Sequence, residues 1–238
     1  MCGIGGIFIR NNHNFSPGKL MKLWQNLEDR GQDASGIAFL WKDSDEPIVM
    51  KNATTATEMS EVVKPTMGKL VQYALLHTRF TTQGSTENNN NNHPVVKGAV
   101  ILTHNGVIRN DSQMFFSMRE IPEYEVDTEA LATGISVNGI SWTARKAEGS
   151  MSIAWVDKND IEKVNLFTNG RNPLVIAELP CGSYIWASGY HHLRHYYPKR
   201  LFHAKPGIVY TLSQNGISSR AIKGDWPHAM TYSSRRVY

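Results

Sequence analysis

Short apolar runs alternate with stretches of mixed polarity along this chain, a pattern that predicts strands interrupted by a few helices. Residues 2–9 are apolar and rich in glycine, which predicts a buried strand that another backbone approaches closely. Residues 19–29 carry apolar side chains at helical spacing, and Pro17 favours a helix that begins just before them. Residues 36–41 and 48–51 predict the two strands of a hairpin.

The middle of the chain continues this alternation. Residues 57–73 predict a helix that Pro65 breaks, and apolar strands are predicted at residues 74–79 and 99–104. Between these strands lies a run of five asparagines, residues 88–92. Its low complexity predicts a flexible surface loop.

Strand patterns dominate the second half of the chain. A helix is predicted over residues 127–137, where it begins with a carboxylate that the helix dipole favours, and a short helix over residues 191–196. The predicted strands are residues 150–156, 163–168, 174–178, 183–188 and 207–211. Many strands with few helices predict a mixed α and β protein with two packed sheets flanked by helices.

The composition is that of an ordinary globular protein. The 238 residues suffice for one large domain or two small ones with a sizeable core. No apolar run approaches the roughly 20 residues that span a bilayer, and no secretory signal pattern opens the chain. Two distant cysteines do not make a disulfide framework, so we expect a reducing cytoplasm. The net charge of +4 is scattered and does not predict nucleic-acid binding.

Cys2 directly follows the initiator methionine, and removal of Met1 would leave one residue with both a thiol and a free α-amine. A cysteine thiol has a pKa of about 8.5, and a terminal amine has a pKa of about 7.7–8.0. Part of the amine is therefore unprotonated at neutral pH and can act as the base for the thiol. If Met1 stays, the amine is an amide and this chemistry fails. The plain alternative is a small residue that happens to lie in an apolar strand.

Three further motifs follow Cys2 along the chain. They are Arg30-Gly31-Gln32-Asp33-Ala34-Ser35-Gly36, His77-Thr78-Arg79-Phe80-Thr81-Thr82-Gln83-Gly84, and Thr103-His104-Asn105-Gly106 with the later Asp127-Thr128-Glu129. In order and spacing, Cys2 and these motifs resemble the glutaminase domain of class II (N-terminal nucleophile) glutamine amidotransferases. The branch they resemble most holds glutamine phosphoribosylpyrophosphate amidotransferase and glucosamine-6-phosphate synthase.

The resemblance implies an α+β fold, namely a four-layer αββα sandwich of two mostly antiparallel sheets, the Ntn-hydrolase fold. We expect this glutaminase domain to cover residues 1–217, with a C-terminal tail over residues 218–238 that has no counterpart. Two interpretations of the tail stay open, a docking segment or a disordered terminus. The docking interpretation rests on aromatic and arginine residues, which are common interface anchors: Trp226, Tyr232, Arg235, Arg236 and Tyr238.

The resemblance also implies the catalytic residues. Cys2 is expected to attack the side-chain carboxamide of L-glutamine and form a thioester, which water hydrolyses to glutamate. Asn105 and Gly106 match the oxyanion donors, because an amide side chain and a glycine N–H can point at one oxygen. In isolation, Asn-Gly is a common tight turn. The presence of the other motifs favours the catalytic interpretation.

Three residues match the substrate-binding positions. Arg79 matches the arginine that binds the substrate α-carboxylate, since a planar guanidinium can donate two parallel hydrogen bonds. Asp127 matches the carboxylate that holds the α-ammonium, and Thr82 matches a threonine of the substrate loop. The alternatives are a surface arginine at a strand end and an acidic residue at a helix N-terminus.

Other motif residues are assigned to supporting roles. For the early motif, shaping the wall near the nucleophile and direct contact both stay open. The family often has Trp or Tyr at the position of Phe80, and it can have His at the position of Gln83. Closure of this loop over glutamine is therefore less well predicted than hydrolysis. The supporting residues are Arg30, Asp33, Gly36, Phe80 and His104.

A possible metal site needs separate treatment, because Cys181, His191, His192 and His195 lie within fifteen residues. The paired-cysteine spacing of a structural zinc site is absent. A buried cysteine and surface histidines are the plainer interpretation. We therefore predict no metal and no cofactor.

The resemblance implies a glutaminase that supplies ammonia for amidotransfer. No synthase motif follows the glutaminase-like region, so we expect a separate aminating partner, such as an ATP-dependent synthetase. A homo-oligomer stays open, and no membrane association is expected. One alternative is another N-terminal nucleophile amidohydrolase without amidotransfer, and another is a catalytically silent regulatory homologue. The full set of matching residues argues against the silent homologue.

Overall fold

The computed structural model describes residues 1–11, 13–68 and 71–226, and within them two antiparallel sheets pack face to face. The strands are β1 (Gly3–Phe8), β2 (Ala34–Trp41), β3 (Ile48–Asn52), β4 (Val71–Arg79), β5 (Val95–Lys97), β6 (Val100–Ile108), β7 (Gly149–Asp157), β8 (Asp160–Thr168), β9 (Val175–Glu178), β10 (Tyr184–Ala187), β11 (Arg200–His203), β12 (Ile208–Ser213) and β13 (Gly216–Ala221). The first sheet has the order β11-β9-β10-β1-β4-β2-β3, and the second has the order β13-β12-β8-β7-β6-β5.

Helices cover the outer face of each sheet. The helices are α1 (Pro17–Asn26), α2 (Ala56–Val63), α3 (Asp111–Met118), α4 (Asp127–Asn138), α5 (Ile140–Lys146) and α6 (Tyr190–Leu193). Helices α1 and α2 pack on the first sheet, and α3, α4 and α5 pack on the second. The four-layer αββα sandwich predicted from the motifs is therefore confirmed.

Strand β1 shows how the sequence pattern produces the layers. Ile4 and Phe8 point into the cluster between the two sheets, whereas Ile7 and Ile9 point into the cluster under α1 and α2. Both faces are buried, so the strand reads as a continuous apolar run rather than an alternation. Burial of each such side chain contributes about 1.5–3 kcal/mol.

The register of the first sheet brings three of the sequence motifs to one end. Gly3 pairs with Thr78, and Ala34 pairs with Arg79. Cys2, the residue before Gly3, therefore lies beside the end of β4. The strand order β1-β4-β2 follows from this pairing and places the nucleophile segment, the Arg79 segment and the early arginine-glycine motif side by side.

Several predicted boundaries were wrong. Helix α2 ends at Val63, a 3-10 segment follows over Lys64–Gly68, and β4 begins at Val71, where a helix had been predicted. Pro65 removes a backbone donor and ends the helix. At the other end, a capping box formed by Thr55 and Glu58 starts α2 just before the predicted position.

Some elements were not predicted at all. Helix α3 has only a weak apolar stripe, α5 is a short helix of seven residues, and β5, β11 and β13 are short or edge strands. None of these carries a strong periodic signal over the window that such a prediction needs.

The end of the described chain continues the second sheet. Strand β13 pairs with β12 through Ala221, across the boundary predicted after residue 217, and Ile222 and Trp226 pack against the cluster of the second sheet. The division into domain and tail stays a prediction. Tyr232, Arg235, Arg236 and Tyr238 lie outside the described residues. No helix in the described residues is long and apolar enough to cross a bilayer.

Candidate active site

Cys2 lies at the start of β1, in the middle of the first sheet, and is partly buried. Its Sγ lies 3.6 Å from the carbonyl oxygen of Phe80. The Nε–H of Arg30 donates to the backbone carbonyl of Cys2 at 3.0 Å. Arg30 therefore contacts Cys2, the predicted nucleophile, directly through the backbone of Cys2.

Two predicted substrate-binding residues, Arg79 and Asp127, lie close enough to Cys2 for their charges to affect the pKa of its thiol. Burial raises the pKa of Cys2 above its ordinary value, the N-terminal amine and Arg79 lower it, and Asp127 raises it. A thiol with a raised pKa is mostly protonated at neutral pH, so it needs a base to attack. Met1 is present and exposed, and the nitrogen of Cys2 is here an amide.

Arg79 ends β4 with its guanidinium largely buried and hydrogen bonded. Its Nη1 donates to Oδ1 of Asn92 at 2.7 Å, and its Nη2 donates to the carbonyl oxygens of Gln83 at 2.5 Å and Gly84 at 2.9 Å. Burial lowers the pKa of Arg79, while Cys2 and nearby carboxylates raise it. Among the described residues, the Nε–H and one Nη1–H have no acceptor, because an arginine has five N–H donors and these contacts use three.

The loop after Arg79 is tied to the early arginine-glycine motif. Oδ2 of Asp33 accepts a hydrogen bond from the N–H of Thr81 at 2.7 Å, and the N–H of Asp33 donates to the carbonyl of Arg79 at 3.0 Å. Phe80 is half exposed. Thr82 is exposed and forms no hydrogen bond within the described part of the chain. Within the described residues, no hydrogen bond therefore connects Thr82 to the other predicted site residues.

Asn105 lies in β6, in the second sheet, and its side chain is almost fully buried. Neither its Nδ2 nor its Oδ1 has a hydrogen-bond partner among the described residues. Its backbone is held in place, because Nδ2 of Asn172 donates to the carbonyl of Asn105 at 2.8 Å. A buried polar group without a partner costs free energy and is the exception in folded proteins. Such a group is suited to bind a ligand oxygen.

Gly106 and Gly36 are required by close backbone approach. A Cβ at Gly106 would lie 1.9 Å from the carbonyl oxygen of Ser150, and one at Gly36 would lie 2.0 Å from that of His93. Neither contact is sterically allowed. Gly36 therefore packs the wall of the site against the segment around His93, and Gly106 lets β6 and β7 approach each other beside Asn105.

Asp127 begins α4 and is connected to β6. Its Oδ2 accepts a hydrogen bond from the N–H of Ile108 at 2.6 Å. Its Oδ1 lies 3.3 Å from the hydroxyl of Thr128 and 4.0 Å from Nδ1 of His104. Since the Thr128 hydroxyl has one proton, the state of His104 decides whether that proton points at Asp127 or at the imidazole.

The contacts of His104 favour its neutral form. Its Nε2 lies 3.2 Å from the carbonyl of Ser150, so this nitrogen carries the proton and donates. Its Nδ1 lies 3.0 Å from Oγ1 of Thr128 and then accepts the hydroxyl proton. Burial lowers the pKa of His104, although Asp127 raises it. Oδ1 of Asp127 is consequently left free to accept a hydrogen bond from a ligand.

Two more buried histidines extend this network between the sheets. Nε2 of His93 donates to Oγ1 of Thr128 at 2.8 Å. The rings of His77 and His93 stack with centroids 4.1 Å apart, and Nε2 of His77 donates to the carbonyl of His104 at 3.0 Å. Burial lowers the pKa of His77 to about 3 and that of His93 well below its ordinary value. A polar bridge thus joins β4 of the first sheet to β6 of the second.

The asparagine run is not the flexible surface loop that its composition predicted. Asn91 and Asn92 are fully buried, although the preceding asparagines are exposed. Asn91 accepts a hydrogen bond from the N–H of Glu125 at 2.9 Å, and Nδ2 of Asn92 donates to the carbonyl of Thr86 at 2.8 Å. The interpretation as a flexible loop was wrong for these two residues, because their amides satisfy buried backbone groups.

Asn92 is a site residue that sequence reasoning missed. Besides accepting from Arg79, it accepts a hydrogen bond at its backbone carbonyl from Nζ of Lys51 at 2.7 Å. Burial, together with the smaller effect of the nearby Arg79, lowers the pKa of Lys51 to about 8. Nothing in a run of identical residues distinguishes its last member. Asn172 and Thr128, which hold Asn105 and the histidines, were also missed.

Two of the histidines that were considered and rejected as metal ligands, His191 and His192, lie beside Asp29. Oδ2 and Oδ1 of Asp29 accept hydrogen bonds from Nε2 of His191 at 2.8 Å and from Nε2 of His192 at 3.0 Å. Nδ1 of His192 is buried with no partner among the described residues. Metal-binding histidines almost always donate their second N–H to an acceptor, so this arrangement is better suited to hydrogen bonding. Cys181 and His195 are not part of the cluster.

The chain belongs to the class II, N-terminal nucleophile glutamine amidotransferases, because it is at least 30% identical to curated relatives over 74% of its length. Among its curated relatives are the glutamine–fructose-6-phosphate aminotransferases of Chlamydia muridarum, 31% identical over 193 residues, and of Buchnera aphidicola, 29% identical over 192 residues. Each match covers 74% of this chain and 30% of the relative. The chain thus corresponds to less than a third of the length of these relatives. No family model matches the chain.

Solved structures confirm the fold. The glutamine phosphoribosylpyrophosphate amidotransferase of B. subtilis, in complex with ADP and GMP, matches with a TM-score of 0.78 at 22% identity, over 94% of this chain and 50% of that one. A glutamine aminotransferase class-II domain protein from Silicibacter pomeroyi matches with a TM-score of 0.62 at 13% identity, over 94% of this chain and 100% of that one.

Proposed function

We propose that this protein is a glutaminase of the amidotransferase type, which hydrolyses the side-chain amide of L-glutamine and delivers the ammonia to a separate aminating partner. One observation carries the proposal. Asn105 has a buried side-chain amide with no partner among the described residues. It belongs to the same site as Cys2, whose thiol pKa is affected by the charges of Arg79 and Asp127. A substrate carboxamide would give that amide its missing acceptor.

The reaction begins with removal of Met1, which is part of the proposal. The free amine of Cys2 takes the thiol proton, and Sγ attacks the carboxamide carbon of glutamine. Nδ2 of Asn105 and the N–H of Gly106 stabilise the developing oxyanion. The amine then gives the proton to the leaving nitrogen, the C–N bond breaks, and ammonia departs. Water hydrolyses the thioester to glutamate and restores the thiol.

Arg79 and Asp127 bind the charged ends of the substrate in this proposal. The Nε–H and one Nη1–H of Arg79 have no acceptor among the described residues, and either one can donate to an oxygen of the α-carboxylate. Oδ1 of Asp127, which neutral His104 leaves free, can accept from the α-ammonium. The site then requires both α groups, and a simple carboxamide should be a poor substrate.

The aminating partner is also a proposal. The curated relatives are named as glutamine–fructose-6-phosphate aminotransferases, which supports a role in amination. Free ammonia is mostly ammonium at neutral pH and a poor nucleophile, so a site that releases it works best beside an acceptor. Affinity purification of the native protein should recover an aminating enzyme. A lone protein with full amidotransfer activity would contradict this part.

The test of the glutaminase is covalent labelling by 6-diazo-5-oxo-L-norleucine, a glutamine analogue that alkylates such nucleophiles. We expect the purified protein to have lost Met1 and to gain one adduct on Cys2 in its intact mass, and we expect glutamine to prevent the labelling. The Cys2→Ala variant should not be labelled, whereas Cys181→Ala, which changes the chain's other cysteine, should be labelled like the wild type.

Retained Met1, or an adduct that forms equally in Cys2→Ala, would overturn the mechanism. The two alternatives give different results in the same experiment. Another N-terminal nucleophile amidohydrolase would lose Met1 but would not be protected by glutamine. A silent homologue would bind glutamine without forming an adduct.

A further inference from the structure

A cavity of about 590 Å³ lies beside the ends of β6 and α5, and none of the predicted active-site residues lines it. Three arginines line it, and they come from three separate segments. Arg109 follows β6, Arg145 lies in the last turn of α5, and Arg171 lies in the loop after β8. The fold therefore gathers three positive charges in one concave place.

These charges have no partner within the described part of the chain. None of the three guanidinium groups forms an ion pair or a side-chain hydrogen bond there. Glu148 and Asp225 also line the cavity, which leaves an excess of positive charge. The residues outside the described ranges include no aspartate or glutamate, so they offer no side-chain carboxylate for neutralisation.

The other walls of the cavity are held in place. Nε1 of Trp226 donates to the carbonyl of Ile222 at 2.8 Å, and its ring packs edge-on against Phe167 with centroids 5.5 Å apart. Asn169 accepts a hydrogen bond from the N–H of Met151 at 3.1 Å and donates to the carbonyl of Gly149 at 2.9 Å. The arginines therefore share the cavity with an aromatic ring and an amide that are each held by hydrogen bonds.

We propose that this cavity binds the phosphate group of a small phosphorylated molecule. The planar guanidinium offers parallel N–H donors that match phosphate oxygens, and several arginines on one anion give both affinity and orientation. A concave cavity with a fixed aromatic wall suits a small ligand, whereas an acidic protein segment needs a longer groove. The helix dipole of α5 accounts for Arg145 alone and not for Arg109 or Arg171.

The cavity shares a loop with the candidate active site. Arg171 faces the cavity, and the next residue, Asn172, donates to the carbonyl of Asn105 at 2.8 Å. A ligand held by Arg171 would thus lie one residue from the side chain that fixes the Asn105 backbone. The binding proposal itself does not depend on the glutaminase activity and is tested without it.

The test is calorimetric titration of the full chain with inorganic phosphate, glucose 6-phosphate and glucose, at constant ionic strength. We expect saturable binding of one phosphate or one glucose 6-phosphate per chain, and no binding of glucose. Each of Arg109→Ala, Arg145→Ala and Arg171→Ala should weaken binding about tenfold or more. Arg171→Lys should recover only part of the loss, because lysine cannot donate two parallel hydrogen bonds.

Arg194→Ala is the matched control, since Arg194 is exposed and follows α6, away from the cavity. It should bind phosphate like the wild type. Two results would overturn the proposal: no saturable phosphate binding to the folded wild type, or unchanged binding in the variant that lacks all three arginines. Tighter binding of a hexaglutamate peptide than of glucose 6-phosphate would show instead that the cavity docks an acidic protein segment.

Discussion

At the scale of single residues, the candidate site combines groups that folding usually avoids. Asn105 is buried without a partner, and the thiol of Cys2 has a raised pKa. Buried groups without partners and groups with shifted pKa values cluster at functional sites, where a ligand or a reaction uses them. The same residues are therefore the ones whose substitution should affect activity more than stability.

Asn105→Ala should lower kcat for glutamine hydrolysis by about 10²–10³, the usual effect of losing one oxyanion donor. KM should change little, because the amide acts mainly on the developing charge. Steady-state release of glutamate measures both constants. Asn215→Ala, at an exposed turn, is the control and should leave both unchanged. A kcat close to that of the wild type in Asn105→Ala would exclude this role.

Asn92→Asp should raise KM for glutamine at least about tenfold with a smaller effect on kcat. The new carboxylate would lie at the position of Oδ1, 2.7 Å from Nη1 of Arg79, and would compete with the substrate carboxylate. The α-carboxamide analogue of glutamine makes no such ion pair, so its hydrolysis should be affected far less. The exposed Asn90→Asp variant is the matched control from the same run. An equal loss with both substrates would indicate a purely structural role.

Some residues of this candidate site could be predicted from the sequence, and others could not. Cys2 was singled out by its own chemistry, and the resemblance to a family assigned roles to Arg79, Asn105 and Asp127. Asn92 could not be found, because a run of five identical residues carries no pattern that says which of them are buried. Burial of Asn92 depends on contacts with Thr86 and Arg79, which only the fold creates.

At the scale of elements, a long apolar run and a carboxylate at a helix start were good guides, whereas short or mixed segments were not. The strand predicted over residues 2–9 and the helix over residues 127–137 are observed as β1 and α4. The helix predicted through residue 73 was wrong, since Val71 and Tyr73 belong to a central strand. Short apolar segments suit a buried strand and a buried helix equally well, and pairing with β1 and β2 decides between them.

Gly31→Ala should disturb the junction between the early motif and β4. The added Cβ would lie 2.4 Å from the carbonyl carbon of Arg79 and 2.5 Å from the backbone nitrogen of Phe80. We expect a loss of about 1–3 kcal/mol in the free energy of unfolding, typical of overpacking, together with lower kcat/KM. Urea unfolding and glutaminase assays measure the two effects.

Gly18→Ala is the matched control for this variant, because the nearest atom to its new Cβ is Oγ of Ser16 at 3.6 Å and the position is helical. It should be as stable as the wild type or slightly more stable. If both glycine variants unfold at the same urea concentration, the close approach at Gly31 is not what holds the junction.

At the scale of the whole molecule, polar groups tie the two sheets together at the end that carries the site. His77 of the first sheet donates to the backbone of His104 in the second, and His93 stacks on His77. Hydrophobic contact between the sheets is not directional, whereas these hydrogen bonds specify one alignment. They thereby help to fix the position of Cys2 and Arg79 relative to Asn105 and Asp127.

This arrangement predicts that the protein loses stability in mild acid. Unfolded histidines take up protons below about pH 6.5, but burial lowers the pKa of His77 to about 3 and also lowers those of His93 and His104. Between these limits the unfolded state binds more protons, so the free energy of unfolding falls as the pH falls. Each such histidine contributes a slope of up to about 1.4 kcal/mol per pH unit.

Urea unfolding at pH 7, 5.5 and 4.5 measures this slope, and His77→Gln separates it from other acid effects. Glutamine does not titrate, and its amide can still donate to the carbonyl of His104, so the variant should show a shallower loss than the wild type. His13→Gln, at an exposed position, should keep the slope of the wild type. If His77→Gln loses stability as steeply as the wild type, His77 is not neutral in the folded protein, and the bridge between the sheets contains a buried charge.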